Sequence, residues 1–178
     1  MAISQKADSI TKSFINEVFS NKSNLDLPIN IESVVKSLGI DLVNYTFDDD
    51  ISGVLVLNDP QPTIGVNQAH SKVRKRFTIA HELGHYILHK DQGNMFMDKV
   101  LFRKSSEGYT VKDEKLEREA NHFAANLLMP ADLIKGYLAK NEIDFYEDSD
   151  IKRMAEDFGV SSSAMTYRLI NLRLVDFR

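Results

Sequence analysis

The sequence predicts an α+β fold, with a small antiparallel or mixed sheet packed on one central helix and further helices around it. Three observations carry this prediction. Apolar residues recur at helical spacing near the start of the chain, the period changes to that of strands between residues 40 and 67, and a later helix is apolar on two sides.

Ile3, Ala7, Ile10, Phe14 and Val18 place an amphipathic helix over residues 3–19. A break rich in Asn, Ser and Asp follows from Asn21 to Pro28. Ile31, Val34, Val35 and Leu38 then mark a second, short helix, closed by Gly39 where a left-handed cap is expected. Ile40–Tyr45, Gly53–Leu57 and Thr63–Asn67 read as strands, the last two joined as a hairpin across the turn residues Asn58–Pro62.

Ser71 is placed to cap a long helix ending near His89. Val73, Phe77, Ala80 and Leu88 lie on one side of it and Ile79, Leu83 and Ile87 on another, the pattern of a buried central helix. Residues 91–112 lack a clear period and read as loop with one short strand. Helices follow over about 113–128, 131–139, 151–158 and 162–172, broken at Met129-Pro130 and at Gly159-Val160-Ser161.

A chain of 178 residues, 43% hydrophobic and 27% charged, matches a soluble domain with one core and room for a small appended module. The net charge of −4 supplies no overall basic field for nucleic acid or anionic lipid. The chain has no apolar run long enough for a signal peptide or a membrane helix, so a cytoplasmic protein without membrane partners is expected. The absence of cysteine excludes disulfides, thiolate metal sites and thiol nucleophiles, and leaves a transition metal only histidine, carboxylate and water.

His81-Glu82-Leu83-Gly84-His85 is an HExxH sequence. Histidines four apart on a helix share one face, with Cβ atoms roughly 5–6 Å apart, so both rings can reach one ion at about 2.0–2.1 Å. Glu82 lies about 100° round the helix from His81, close enough to take a proton from a water polarised by that ion. The pattern points to a metal-dependent hydrolase with Glu82 as general base. The ion expected is zinc, with manganese and ferrous iron also compatible with such donors.

A third ligand must come from His89, His70, His122 or a downstream carboxylate. His89 continues the series, but three histidines along one straight helix spread over about 12 Å, too far for one tetrahedral ion, so His89 reads as a supporting or packing residue. On the helix over 113–128, Glu117 falls about 60° from the centre of the apolar stripe formed by Leu116, Ala120, Phe123, Ala124, Leu127 and Leu128. Glu119 and Asn121 fall near 100°, by the same reckoning, and His122 points away. Glu117 is therefore the preferred third ligand, and Ala120 and Ala124 would let the two helices approach closely. An oxyanion donor is also required, with Tyr109, Tyr86 and His70 as candidates.

Arg76-Phe77-Thr78-Ile79-Ala80 leading into the HExxH, followed by Glu117-Arg118-Glu119-Ala120-Asn121-His122-Phe123-Ala124-Ala125-Asn126-Leu127-Leu128-Met129-Pro130, resembles the ImmA/IrrE family of bacterial metallopeptidases. Ile51-Ser52-Gly53-Val54 and Ile64-Gly65-Val66-Asn67 also resemble it, so the likeness covers most of residues 28–130. It implies a zincin-like fold and a gluzincin-like site. The family's ligand glutamate stands four residues before an asparagine, which corresponds to Glu117 with Asn121 as its neighbour and leaves Glu119 as the fallback. It also implies a protein substrate, a helix-turn-helix repressor cleaved to release stress, phage or mobile-element genes. The other reading is a non-catalytic antirepressor or DNA-binding regulator with a structural metal.

On this basis residues 1–140 form the metallopeptidase domain and residues 148–178 a helix-turn-helix-like element expected to pack on the same core. The second helix of that element begins Ser-Ser-Ala-Met-Thr, which offers little to base edges. Lys152, Arg153, Arg168, Arg173 and Arg178 face Asp150, Glu156, Asp157 and Asp176, weak footing for phosphate binding. DNA binding is accordingly a minor expectation beside packing or substrate docking. The cluster Lys72, Arg74, Lys75 and Arg76 opposes the helix dipole, which hints at carboxylate partners or a substrate surface, but a solvated face is the preferred reading.

Overall fold

The computed structural model describes residues 3–20, 26–48, 50–57, 61–93, 95–99 and 111–175, with the side chains of Asp98, Lys99 and Val111 outside the description. The turn residues 58–60, and Gly108 and Tyr109 in the segment 100–110, lie outside the described residues.

Helix α1 spans Gln5–Phe19 and buries Ala7, Thr11 and Phe14, one face at helical spacing. Ser4 caps it, its hydroxyl oxygen accepting from the Ala7 N–H. Helix α2 (Ile31–Ser37) buries Ile31, Val34 and Val35 and ends at Gly39, whose φ of +70° is the left-handed conformation that glycine adopts without steric cost.

Four strands form one sheet in the order β1-β3-β2-β4: β1 Asp41–Tyr45, β2 Ile51–Val56, β3 Thr63–Asn67 and β4 Met95–Lys99. β2 and β3 are antiparallel, as the hairpin reading expected, while β1 runs parallel to β3. Burial explains the order. β3 is an interior strand, with Ile64 and Val66 buried, whereas β1 is largely exposed and sits at an edge. Buried Asn67 closes the end of the hairpin through its side-chain N–H to the Ile51 carbonyl, 2.9 Å away. β4 pairs antiparallel with β2 through an irregularity between Ile51 and Gly53. Such bulges re-aim side chains, and here buried Ser52 accepts a 2.6 Å hydrogen bond from Arg74.

Helix α3 (Lys72–His89) is the predicted central helix, capped by Ser71. It packs on the sheet where β2 carries Gly53; a Cβ there would overlap Thr78 Cγ2. On its other side lies α4 (Val111–Leu128), and a Cβ at Gly84 would stand 3.1 Å from the Ala120 backbone. The two helices therefore touch almost backbone to backbone, which brings side chains one turn away on each to a common point. Helices α5 (Ala131–Leu138), α6 (Asp148–Phe158) and α7 (Ser162–Asn171) complete the chain. α6 starts three residues before its predicted position; Asp148 and Asp150 in its first turn suit the positive end of the helix dipole. Gly159 caps it at φ +64°, and Ser161 caps α7. Ile151, Met154, Phe158, Met165 and Leu169 join Leu83, Phe123 and Leu127 in one hydrophobic core.

Candidate metal centre

The close approach of α3 and α4 sets the geometry of the centre. His81 and His85, four apart on α3, turn their Nε2 atoms to within 3.1 Å of each other. Glu117 on α4 meets both, with Oε2 3.2 Å from His81 Nε2 and Oε1 3.2 Å from His85 Nε2. Two donors held at about 2.0–2.1 Å by one tetrahedral ion stand about 3.3 Å apart, close to each of these contacts, although the two rings meet different oxygens of Glu117. The histidine side chains are 2% exposed and Glu117 is 29% exposed, so the triangle opens to solvent on the α4 side.

The protonation pattern fits a cation. Burial pulls the His85 pKa down to about 4, so its ring is neutral at physiological pH. Burial alone would raise the Glu117 carboxyl, but hydrogen bonds and charge interactions with His81 and His85 hold it well below the usual carboxylate range. A neutral His85 ring and an ionised Glu117 carboxylate thus meet beside His81, donor types that a divalent ion accepts.

Each ring has an outer partner. Asn121 Oδ1 lies 3.2 Å from His81 Nδ1, so Nδ1 carries the proton and Nε2 keeps its lone pair. His85 Nδ1 lies 3.1 Å from His89 Nδ1, and His89 Nε2 lies 3.1 Å from Glu119 Oε2. The Ser4 hydroxyl donates to the other oxygen of Glu119. A file of hydrogen bonds therefore runs from His85 through His89 and Glu119 to the N-terminus of α1. Phe96 of β4 stacks on His85, centroids 4.7 Å apart and planes 20° apart, and closes that side. Glu82 is fully buried on the α3 face toward β2, with Oε1 3.5 Å from where a Cβ on Gly53 would stand.

Among the site residues read from the sequence, His81, His85 and Glu117 come together, and their donor atoms lie within 4.8 Å of one another. Asn121 and His89 stand behind the two rings. Glu119, the fallback ligand, joins His89 and Ser4 instead. His122 turns away, its Nε2 3.2 Å from Asp8 Oδ1. Tyr86 carries the Lys90 ammonium over its ring, and the backbone N–H of His70 donates to Asn67; neither makes a described contact with the triad. Tyr109 lies outside the described residues.

Ser4 and Phe96 escaped the sequence reading, because each meets the site only across the fold. The solvated reading of the basic cluster fails for Arg74, which bonds Ser52, and for Arg76, whose Nε donates to the Gly159 carbonyl at 3.1 Å. Arg168, counted among the basic residues weighed for phosphate binding, is 6% exposed and bonds within the protein.

Known proteins bear on this arrangement. The family model described as Peptidase_M78, the IrrE N-terminal-like domain, matches residues 35–170. The chain is 28% identical over 101 residues to "Uncharacterized immunity region protein 2" of Bacillus phage phi105, an alignment covering 56% of this chain and 58% of that protein. A solved Mycobacterium tuberculosis transcriptional regulator superposes with a TM-score of 0.59 at 16% identity, covering 94% of this chain and 47% of that one. This chain therefore spans less than two thirds of the length of either, and the second likeness is one of fold.

Proposed function

This chain belongs to the Peptidase_M78 family of IrrE N-terminal-like domains, and from that premise we propose that it is a metal-dependent endopeptidase whose substrate is a DNA-binding repressor. Membership in the family points to a metallopeptidase. His81, His85 and Glu117 would hold the ion, zinc in the first instance, with manganese and ferrous iron suited to the same donors. When bound, the ion supplies Lewis acidity toward the scissile carbonyl and the attacking water.

The remaining work falls to the chain's own residues. Glu82 takes the proton of the attacking water and passes it to the leaving amine. Asn121 fixes the His81 tautomer, and the file through His89 and Glu119 fixes that of His85. Residues 1–140 form the catalytic domain, with 148–178 a helical element laid against it. The name of the phage relative refers to an immunity region and that of the structural neighbour to transcriptional regulation; both support a repressor as substrate. A repressor substrate in turn implies action in the cytoplasm. No helix among the described residues is long and apolar enough to cross a membrane.

The observation that carries this reading is the triangle of two imidazole nitrogens and one carboxylate, with Glu82 adjacent on the same helix. The test is incubation with repressors encoded near the gene, with and without chelator. Glu82→Gln should keep its metal and lose roughly 10²–10⁴ in cleavage rate. Equal cleavage by that variant would rule out the base assignment. Repressor inactivation that chelator leaves untouched would favour a non-catalytic antirepressor.

A further inference from the structure

Beside the metal centre, α3, α4 and α7 enclose a cleft of about 390 Å³. Arg74 and Phe77 of α3, Asn121 of α4, and Tyr167, Arg168 and Asn171 of α7 line it. Its size is that of a small-ligand pocket, about 300–1,000 Å³. It adjoins the triad through two residues, since Asn121 is bonded to His81 and the Phe77 ring lies 6.2 Å from the His81 ring. No described residue lining it is acidic, although the protein as a whole carries a net charge of −4.

Arg168 is the unusual group in this wall. It is 6% exposed, yet among the described residues its hydrogen bonds go to neutral acceptors, Nε to the Met129 carbonyl and Nη2 to Asn126 Oδ1, each at 2.9 Å. No carboxylate pairs with it among the described residues. A buried guanidinium usually has an anion, because desolvation is costly and neutral acceptors offset only part of that cost. The carbonyl at the end of α4 accounts for Nε and contributes some negative potential. It leaves part of the five-donor fork, and the formal charge, unanswered. Burial pulls the Arg168 pKa down to about 10, so the group is still charged at neutral pH.

We propose that this cleft is a carboxylate-binding subsite of the peptide-cleaving centre, in which Arg168 receives an acidic side chain or the terminal carboxylate of the bound substrate chain. The inference rests on the peptidase reading for its biological meaning, but the binding itself does not depend on turnover. α7 thereby becomes a wall of the substrate site, and the helix-turn-helix-like pair reads peptide.

The test measures binding to full-length Glu82→Gln protein, which holds peptide without cleaving it. Three labelled nonapeptide mixtures of neutral random sequence serve as probes: end-blocked with a central Glu, end-blocked with a central Gln, and the Gln mixture with a free C-terminal carboxylate. One of the two carboxylate mixtures should bind about tenfold tighter than the blocked Gln mixture, the advantage of a charge-assisted hydrogen bond in a buried site. Which one gains identifies the source of the carboxylate. Adding Arg168→Gln should abolish the advantage and Arg168→Lys should keep part of it. Because Arg168 also ties α7 to α4, the Arg168 Nε–H resonance of the unsubstituted residue is followed in parallel, and it should shift with the favoured mixture only. Equal affinity for all three mixtures, including no binding of any, overturns the proposal, as does an advantage that survives in folded Arg168→Gln. Preference for a carboxylate without cleavage of any repressor by wild type would sink the peptidase reading and leave the subsite standing.

Discussion

Two histidine–glutamate groups cross the same helix pair one turn apart, and they differ in what they leave unsatisfied. In one, Glu117 faces two Nε2 atoms at 3.2 Å and is 29% exposed. In the other, Glu119 faces one ring nitrogen at 3.1 Å, receives the Ser4 hydroxyl and is 7% exposed. The second group closes on itself, since each carboxylate oxygen has a hydrogen-bond donor. The first brings three donor residues to one place, an arrangement that could hold a cation. Residue types alone do not separate a ligand from its support. The number of donors that reach the carboxylate does.

The largest effect should come from breaking the first group. Glu117→Gln removes the negative donor and should cost about 3 kcal/mol or more of metal affinity, on the order of 10²-fold, together with any cleavage activity. Metal content after dialysis against a graded chelator reads this directly. His89→Phe or Glu119→Gln should retain the metal and lower its affinity about 10–100-fold, the usual effect of removing a partner behind a ligand. If Glu119→Gln stripped the metal as completely as Glu117→Gln, the distinction between the two groups would collapse.

That distinction was half legible in the sequence. His81 and His85 declared themselves because four residues make one helical turn, and Glu117 because the α4 stripe is clear enough to place a wheel. The tie between Glu119 and Ser4 was not legible, because it joins residues 115 positions apart and depends on where α1 docks. Likewise the β2–β3 hairpin and a short strand within 91–112 could be read locally, whereas the parallel β1–β3 pairing and the pairing of β4 with β2 arise from tertiary packing that strand periodicity does not encode. The burial of Arg168 was not legible for a related reason. An arginine on a short helix resembles a solvent-facing charge until the end of α4 appears beneath it.

Acid should separate the metal-free protein from its loaded form. The folded pKa of His85 is depressed from 6.5 to about 4, so over that interval the unfolded chain binds the extra proton. Stability from this group is present above 6.5 and lost as pH falls toward 4, by about 3 kcal/mol in total. His89 is depressed too, by burial, with Glu119 opposing the shift. Removing that opposition in Glu119→Gln should deepen the acid loss. Denaturant unfolding of chelated protein at a series of pH values checks both, and a flat profile would mean that the rings are more solvated than their burial implies.

The smallest effect expected is at Ser4, which serves the second group and α1 at once. Its oxygen accepts from Ala7 N–H while its proton goes to Glu119. Ser4→Ala removes both bonds, and losing the cap alone should cost about 1 kcal/mol, a melting shift of roughly 2–4 °C for a chain of this size. Glu119 would keep its contact with His89, so metal affinity should fall by less than about tenfold, the lower bound for a residue directly behind a ligand. Ser4→Thr keeps a hydroxyl in the same place and should restore both stability and affinity. If Ser4→Ala lowered metal affinity as far as His89→Phe, the hydroxyl would be an integral member of the His85 file, and the boundary of the centre would have to be drawn at the N-terminus of α1.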